Sequence, residues 1–116
     1  MATSTKDILQ RLAGRAHRGG AFNSDVLIAI SEVLPSGDIK TLETGCGKST
    51  IMFSNLAAKH VVFAYDDRDM PDSSVGLVQK DPEFKADSTE FVYGPTQKTL
   101  LVHQFADDDM FDVILI

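Results

Sequence analysis

The sequence predicts an α/β domain: a mainly parallel sheet with helices on both faces, preceded by two helices. Three observations carry that expectation. Beyond residue 38, short apolar runs and segments of helical periodicity alternate four times, the pattern of parallel strands joined by right-handed crossovers. Val61-Val62-Phe63-Ala64-Tyr65 is a nearly continuous apolar run, as in a strand covered on both faces. Glu43-Thr44-Gly45-Cys46-Gly47-Lys48-Ser49-Thr50 places a glycine-pinched turn between a strand and a helix. Such a turn offers a ligand free backbone N–H groups and the positive end of a helix dipole.

Taken in order, Ser4 or Thr5 caps a first helix over 5–17, with Ile8, Leu9, Leu12, Ala13 and Ala16 as its apolar stripe. Arg11, Arg15 and Arg18 share one face of it, read as a solvated face. Gly19-Gly20 ends the helix, and Ser24 caps a second one running to Val33. Pro35-Ser36-Gly37-Asp38 is a turn. A first strand over 39–43 follows, then a helix over 49–59 burying Ile51, Met52, Leu56 and Ala57. Lys59 and His60 suit the negative end of that helix.

The second strand covers 61–65 and ends at Asp66. Pro71-Asp72-Ser73 opens a short helix holding Val75, Leu77 and Val78, finished by Asp81-Pro82. The third strand, 89–93, is closed by Gly94-Pro95, and a helix over 96–105 turns Leu100, Leu101 and Phe105 inward. Asp107-Asp108-Asp109 is an acidic turn before a fourth strand over 111–116. Val113 to Ile116 is the most apolar run in the chain, with nothing after it to cover it. An uncovered apolar strand is a template for pairing, so the expectation is a longer chain or a homo-oligomer formed through 111–116. Phe53, Phe63 and Phe91 are assigned to the core. Residues 1–38 form the leading helices that pack on the core, and 39–116 form the ligand-binding part.

The bulk numbers bound the function. A chain of 116 residues fits one domain with a modest core. Hydrophobic and charged contents of 43% and 24% are those of a soluble globular protein. A formal net charge of -6 weighs against nucleic acid as a partner, since phosphate-backbone binding needs clustered Lys and Arg. The single cysteine, Cys46, excludes an internal disulfide and a cysteine-built zinc site. His17, His60 and His103 are dispersed and give no metal spacing. No apolar run reaches the ~18 residues of a membrane helix, and no signal-peptide core opens the chain. No membrane span and a reducing, cytoplasmic setting are expected.

Three ligand classes compete for the glycine turn. A P-loop requires G-x-x-x-x-G-K-[ST]; Gly47-Lys48-Ser49 supplies the tail, but Leu42 stands where the leading glycine belongs. A dinucleotide fingerprint requires G-x-G-x-x-G; Gly45 and Gly47 fit, Thr50 stands at the third glycine, and Asp66 lies where a ribose-binding acid is wanted.

The third class is carried by Glu43-Thr44-Gly45-Cys46-Gly47-Lys48-Ser49-Thr50, which resembles motif I, E-x-G-x-G-x-[ST], of the class I S-adenosylmethionine-dependent methyltransferases. Asp66 at the end of the second strand, Gly94 at the end of the third, and Phe111-Asp112-Val113-Ile114-Leu115-Ile116 as the fourth strand extend the resemblance from residue 39 to the end. It implies a Rossmann-like sheet of about four strands in the order 3-2-1-4, an incomplete methyltransferase fold, and S-adenosylmethionine as cofactor. It further implies a cofactor site of Glu43, Thr44, Gly45, Cys46, Gly47, Ser49, Thr50, Asp66, Gly94 and Thr96.

The chemistry of those residues suits this ligand. Without phosphates it needs a shorter cradle than a P-loop. Gly45 and Gly47 permit close backbone approach. Glu43 is placed to accept from the amino group, directly or through water. Ser49 and Thr50 either bond the ligand carboxylate or cap the helix. Asp66, or Asp67 if the strand runs longer, accepts the two ribose hydroxyls. Thr96 or Gln97 either replaces the acidic residue the family often has near adenine or simply opens a capped helix, and Lys48 departs from the small or neutral residue common at its position. Cys46 is read as a small apolar spacer. In the family, catalytic groups follow the fourth strand, so a small-molecule or protein methyl acceptor is expected, with no base, acceptor atom or metal ligand assigned. Two alternatives stay open: a nonenzymatic or degenerate module binding a nucleotide or partner, and an NAD-binding Rossmann domain.

Overall fold

A computed structural model of the chain describes residues 5–13, 24–35, 37–65, 69–70, 73–103 and 110–116. Its centre is β1 (Lys40–Thr44), flanked on one side by β2 (Lys59–Ala64) and then β3 (Thr89–Tyr93), and on the other by β4 (Val113–Leu115). All pairs are parallel, in the order β3-β2-β1-β4, a Rossmann-like arrangement. Leu42 stands between Val61 and Ile114, and Glu43 between Val62 and Leu115. Among the described residues, five α-helices surround the sheet: α1 (Thr5–Ala13), α2 (Ser24–Val33), α3 (Lys48–Leu56), α4 (Ser74–Lys80) and α5 (Thr96–Val102).

Alternation along the strands divides the core into two faces. Leu42, Val61 and Phe63 cluster with Val92 and Phe111 on one side. Val62 and Ala64 cluster on the other with Val75 of α4, Phe91 and Tyr93. Val61 to Ala64 are all buried, as a doubly covered strand requires, whereas Tyr65 lies past the strand and is exposed. The larger core joins α1, α2, α3 and α4 through Ile8, Leu9, Leu12, Leu27, Ile51, Met52, Phe53 and Val78. The two leading helices thus share one core with the glycine-loop region. Arg11 of α1 is bonded to Glu83, 72 residues away.

Several element boundaries differ from the sequence expectation. Helix α3 ends at Leu56 rather than near 59, because Ala57 turns extended and Ala58 donates its N–H to Ile39 O at 2.8 Å. Lys59 and His60 then pair with Lys40 and Thr41 inside the sheet. Their side chains therefore do not serve the helix terminus. Helix α4 starts at Ser74, with the Ser73 hydroxyl accepting from Gly76 N–H at 2.9 Å. Ala86–Ser88 forms a single 3-10 turn that the sequence did not signal. Strand β4 shortens to three residues: Asp112 takes the Lys40 N–H on its carboxylate at 2.9 Å, and Phe111 folds onto the sheet.

Leu100 and Leu101 do not face inward; they are 39% and 85% exposed. Helix α5 is tied down instead by His103, whose ring meets Phe63 edge-on at 5.5 Å. Ile114 and Ile116 at the sheet edge are 57% and 93% exposed. The end of the first helix, Arg15, Arg18, the Gly19-Gly20 break, Pro71-Asp72, Phe105 and the acidic turn lie outside the described residues. Among the described residues, no helix is long and apolar enough to cross a membrane.

Candidate functional site

The glycine turn occupies the carboxyl end of the central strand, where a parallel sheet offers a ligand its crevice. Its two glycines do different work. Gly45 has φ +87, a left-handed angle that side chains resist. A Cβ built there would meet nothing within 4 Å, so the backbone angle sets the requirement and the space beside Gly45 is open. Its N–H still reaches Phe63 O at 2.8 Å, extending the ladder one residue past β1. Gly47 has φ -178, extended backbone that any residue adopts, and it is buried.

Below the turn lies a chain of buried polar groups. Glu43, the fourth residue of β1, is 2% exposed. The Ser49 hydroxyl donates to its Oε2 at 2.6 Å, and the Thr50 hydroxyl donates to its Oε1. His60 Nε2 lies 2.9 Å from the same Oε1, and Thr41 Oγ1 lies 2.6 Å from His60 Nδ1. Thr50 Oγ1 also accepts the Gly47 N–H at 3.0 Å, and Thr50 N–H returns to Gly47 O at 3.0 Å. Thr50 therefore caps α3 and binds Glu43 at once. Buried polar atoms that found no partner would each cost about 1–3 kcal/mol; this group satisfies its own members.

The remaining expected site residues fall around this centre. Thr44 ends β1, half-buried. Cys46 is half-buried against both the larger core and the Val62 cluster, its thiol 4.0 Å from Ser74 O. Gly94 follows β3 at the same end of the sheet, with φ +134 and its N–H on Ala64 O at 3.0 Å. Thr96 opens α5, and its carbonyl accepts the Thr99 hydroxyl at 3.0 Å. The structure thus gathers Glu43 to Thr50 at one strand–turn–helix junction and sets Gly94 and Thr96 across β2 from it. Asp66 and Asp67 lie outside the described residues, as does the Gln97 side chain.

Sequence reasoning missed His60 and Thr41. They meet because β1 and β2 pair in the register Thr41 to His60. The available signal was a polar residue at alternate positions of otherwise apolar strands: Thr41 and Glu43 in one, His60 in the other. Phe53 stacks on the His60 ring at 4.9 Å and 22°.

An opening of about 330 Å³ lies where the strands begin and is lined by Ile8, Arg11, Asn55, Glu83 and Lys85 among others. Arg11 pairs with Glu83 across it, and Asn55 donates to Glu83 O at 2.8 Å. Among the described residues, no group of three or more His, Cys, Asp or Glu side chains is placed to hold a metal ion. No protein-family model matches the chain, and no curated protein matches it significantly.

Proposed function

We propose that the chain is the cofactor-binding part of an S-adenosylmethionine-dependent methyltransferase. The observation that carries the reading is the pairing of Gly45 with Glu43. Gly45 holds a left-handed angle beside open space. Glu43 sits under the same turn with two donors on Oε1 and one on Oε2, so among the described residues one acceptor site of Oε2 is unfilled. An open backbone surface next to a carboxylate oxygen suits a ligand that pairs an uncharged nucleoside with an ammonium group. It suits a nucleotide polyphosphate poorly, because the acidic group would repel it.

Bound there, S-adenosylmethionine supplies a methyl group activated by its sulfonium. The chain's own contribution is placement: much of such a displacement can come from near-attack geometry. Glu43 orients the amino end, Gly45 to Gly47 follow the backbone of the ligand, and Gly94 with Thr96 border the far side of β2. Asp66 is assigned the ribose hydroxyls. The acceptor is a small molecule or a protein, and the working compartment is the cytoplasm.

Isothermal titration calorimetry of the folded chain with S-adenosylmethionine and S-adenosylhomocysteine tests the proposal, with NADH fluorescence as the control for the dinucleotide alternative. Saturable heats with both sulfur ligands and no change with NADH are expected. A folded sample that binds neither ligand contradicts the proposal, and an NADH response favours the alternative.

A further inference from the structure

The polar chain beneath the loop has a direction. Gly47 gives its N–H to Thr50 Oγ1, which leaves the Thr50 hydroxyl hydrogen for Glu43 Oε1. Ser49 gives its hydroxyl hydrogen to Oε2. With both carboxyl oxygens already accepting, the arrangement that satisfies every member puts a hydrogen on His60 Nε2, aimed at Oε1. Thr41 then closes the far end at Nδ1, and the Phe53 ring fixes the imidazole plane. His60 is 0% exposed and so can act on a ligand only through another group.

We infer that His60 is the positioning residue for the Glu43 carboxyl group, loading Oε1 so that Oε2 is the oxygen turned to a ligand's ammonium. Each carboxylate oxygen has about two acceptor sites. Oε1 fills both with Thr50 and His60, and Oε2 fills one with Ser49. The same bonds connect the centre of the sheet to the Gly47 N–H, so His60 also steadies the turn. The ammonium half of this inference rests on the methyltransferase reading; the positioning half rests on the geometry alone.

The test compares the full chain with His60→Gln, which keeps a side-chain N–H donor, and His60→Leu, which fills the space without one. Nitrogen-15 NMR of the wild-type imidazole is expected to show the hydrogen on Nε2. Native-state exchange of the Gly47 amide, referred to that of Val62 in the same sample, is expected to rise about tenfold in His60→Leu and to return most of the way in His60→Gln. S-adenosylhomocysteine is expected to bind about tenfold more weakly to His60→Leu, while 5'-methylthioadenosine, which lacks the ammonium, binds all three chains alike. A ring bearing hydrogen on Nδ1 alone, or equal relative Gly47 protection in wild type and His60→Leu, overturns the positioning role. Equal S-adenosylhomocysteine affinity in all three chains overturns the ammonium half and leaves the methyltransferase reading standing. Failure of wild type to bind S-adenosylhomocysteine, with the Gly47 effect present, removes that reading and the ammonium half while upholding the positioning half.

Discussion

His60 Nε2 lies 2.9 Å from Glu43 Oε1, with the two side chains 0% and 2% exposed. One residue belongs to β2 and the other to β1, and the hydroxyls that complete the group come from the first turn of α3. Strand, strand and helix are therefore joined by side chains at the point where the glycine turn begins.

Removing the shared acceptor should be felt in stability. Glu43→Ala takes the partner from Ser49, Thr50 and His60 together and leaves a void beneath the turn. The expected loss is about 3 kcal/mol, from several buried donors left unpaired at about 1–3 kcal/mol each with partial relaxation. Urea denaturation followed by circular dichroism measures it. Ser49→Ala, at a half-buried site, should cost less, about 1 kcal/mol.

Gly94 separates conformational strain from crowding. Its φ is +134, and a Cβ there would stand 2.8 Å from Thr99 Cγ2. Gly94→Ala should destabilise by about 1–3 kcal/mol from the backbone angle, with the methyl contact added. Thr99→Ser in the Gly94→Ala background removes Cγ2 and keeps the hydroxyl. The double mutant should recover the contact part alone, so a double-mutant cycle should show coupling between the two positions.

The outward turn of α5 gives a third expectation. Leu101→Lys should change stability by no more than about 0.5 kcal/mol, as at other exposed sites. Met52→Ala, in a fully buried residue of α3, should cost about 2–5 kcal/mol. Thermal melts of the two variants beside wild type measure both.

The pair between Arg11 and Glu83 joins α1 to the segment after α4, with side-chain exposures of 46% and 14%. Arg11→Ala should lower stability by about 0.5–1 kcal/mol. The difference should shrink on going from low to 0.5 M salt, because exposed charges are screened. A loss independent of salt would assign the effect to packing of the arginine stem.

The parallel sheet and its main helices were legible because alternation of apolar runs and helical stripes is a local signal, whereas the strand order was an expectation of the family resemblance and the 3-10 turn at Ala86–Ser88 gave no signal. The glycine turn was legible for the same reason: Gly45, Gly47 and the following hydroxyls stand within a few residues of one another. His60 was not. A cation after a helical stretch reads as a helix terminus, but pairing of Lys59 and His60 with Lys40 and Thr41 prevailed over one more helical turn. The role of His60 depends on register between strands 19 residues apart, which no local pattern states. Leu100 and Leu101 misled for a related reason: in a seven-residue helix, two adjacent leucines do not define which side faces the sheet.

The claim that the glycine turn holds S-adenosylmethionine is tested most directly by a two-dimensional ¹H–¹⁵N NMR titration of the chain with S-adenosylhomocysteine. The amides of Gly45, Cys46 and Gly47 should shift saturably and in step, while those of Glu83 and Lys85 at the opposite end of the sheet stay in place. Saturable shifts confined to Glu83 and Lys85, or no shifts from a folded chain, would contradict the claim.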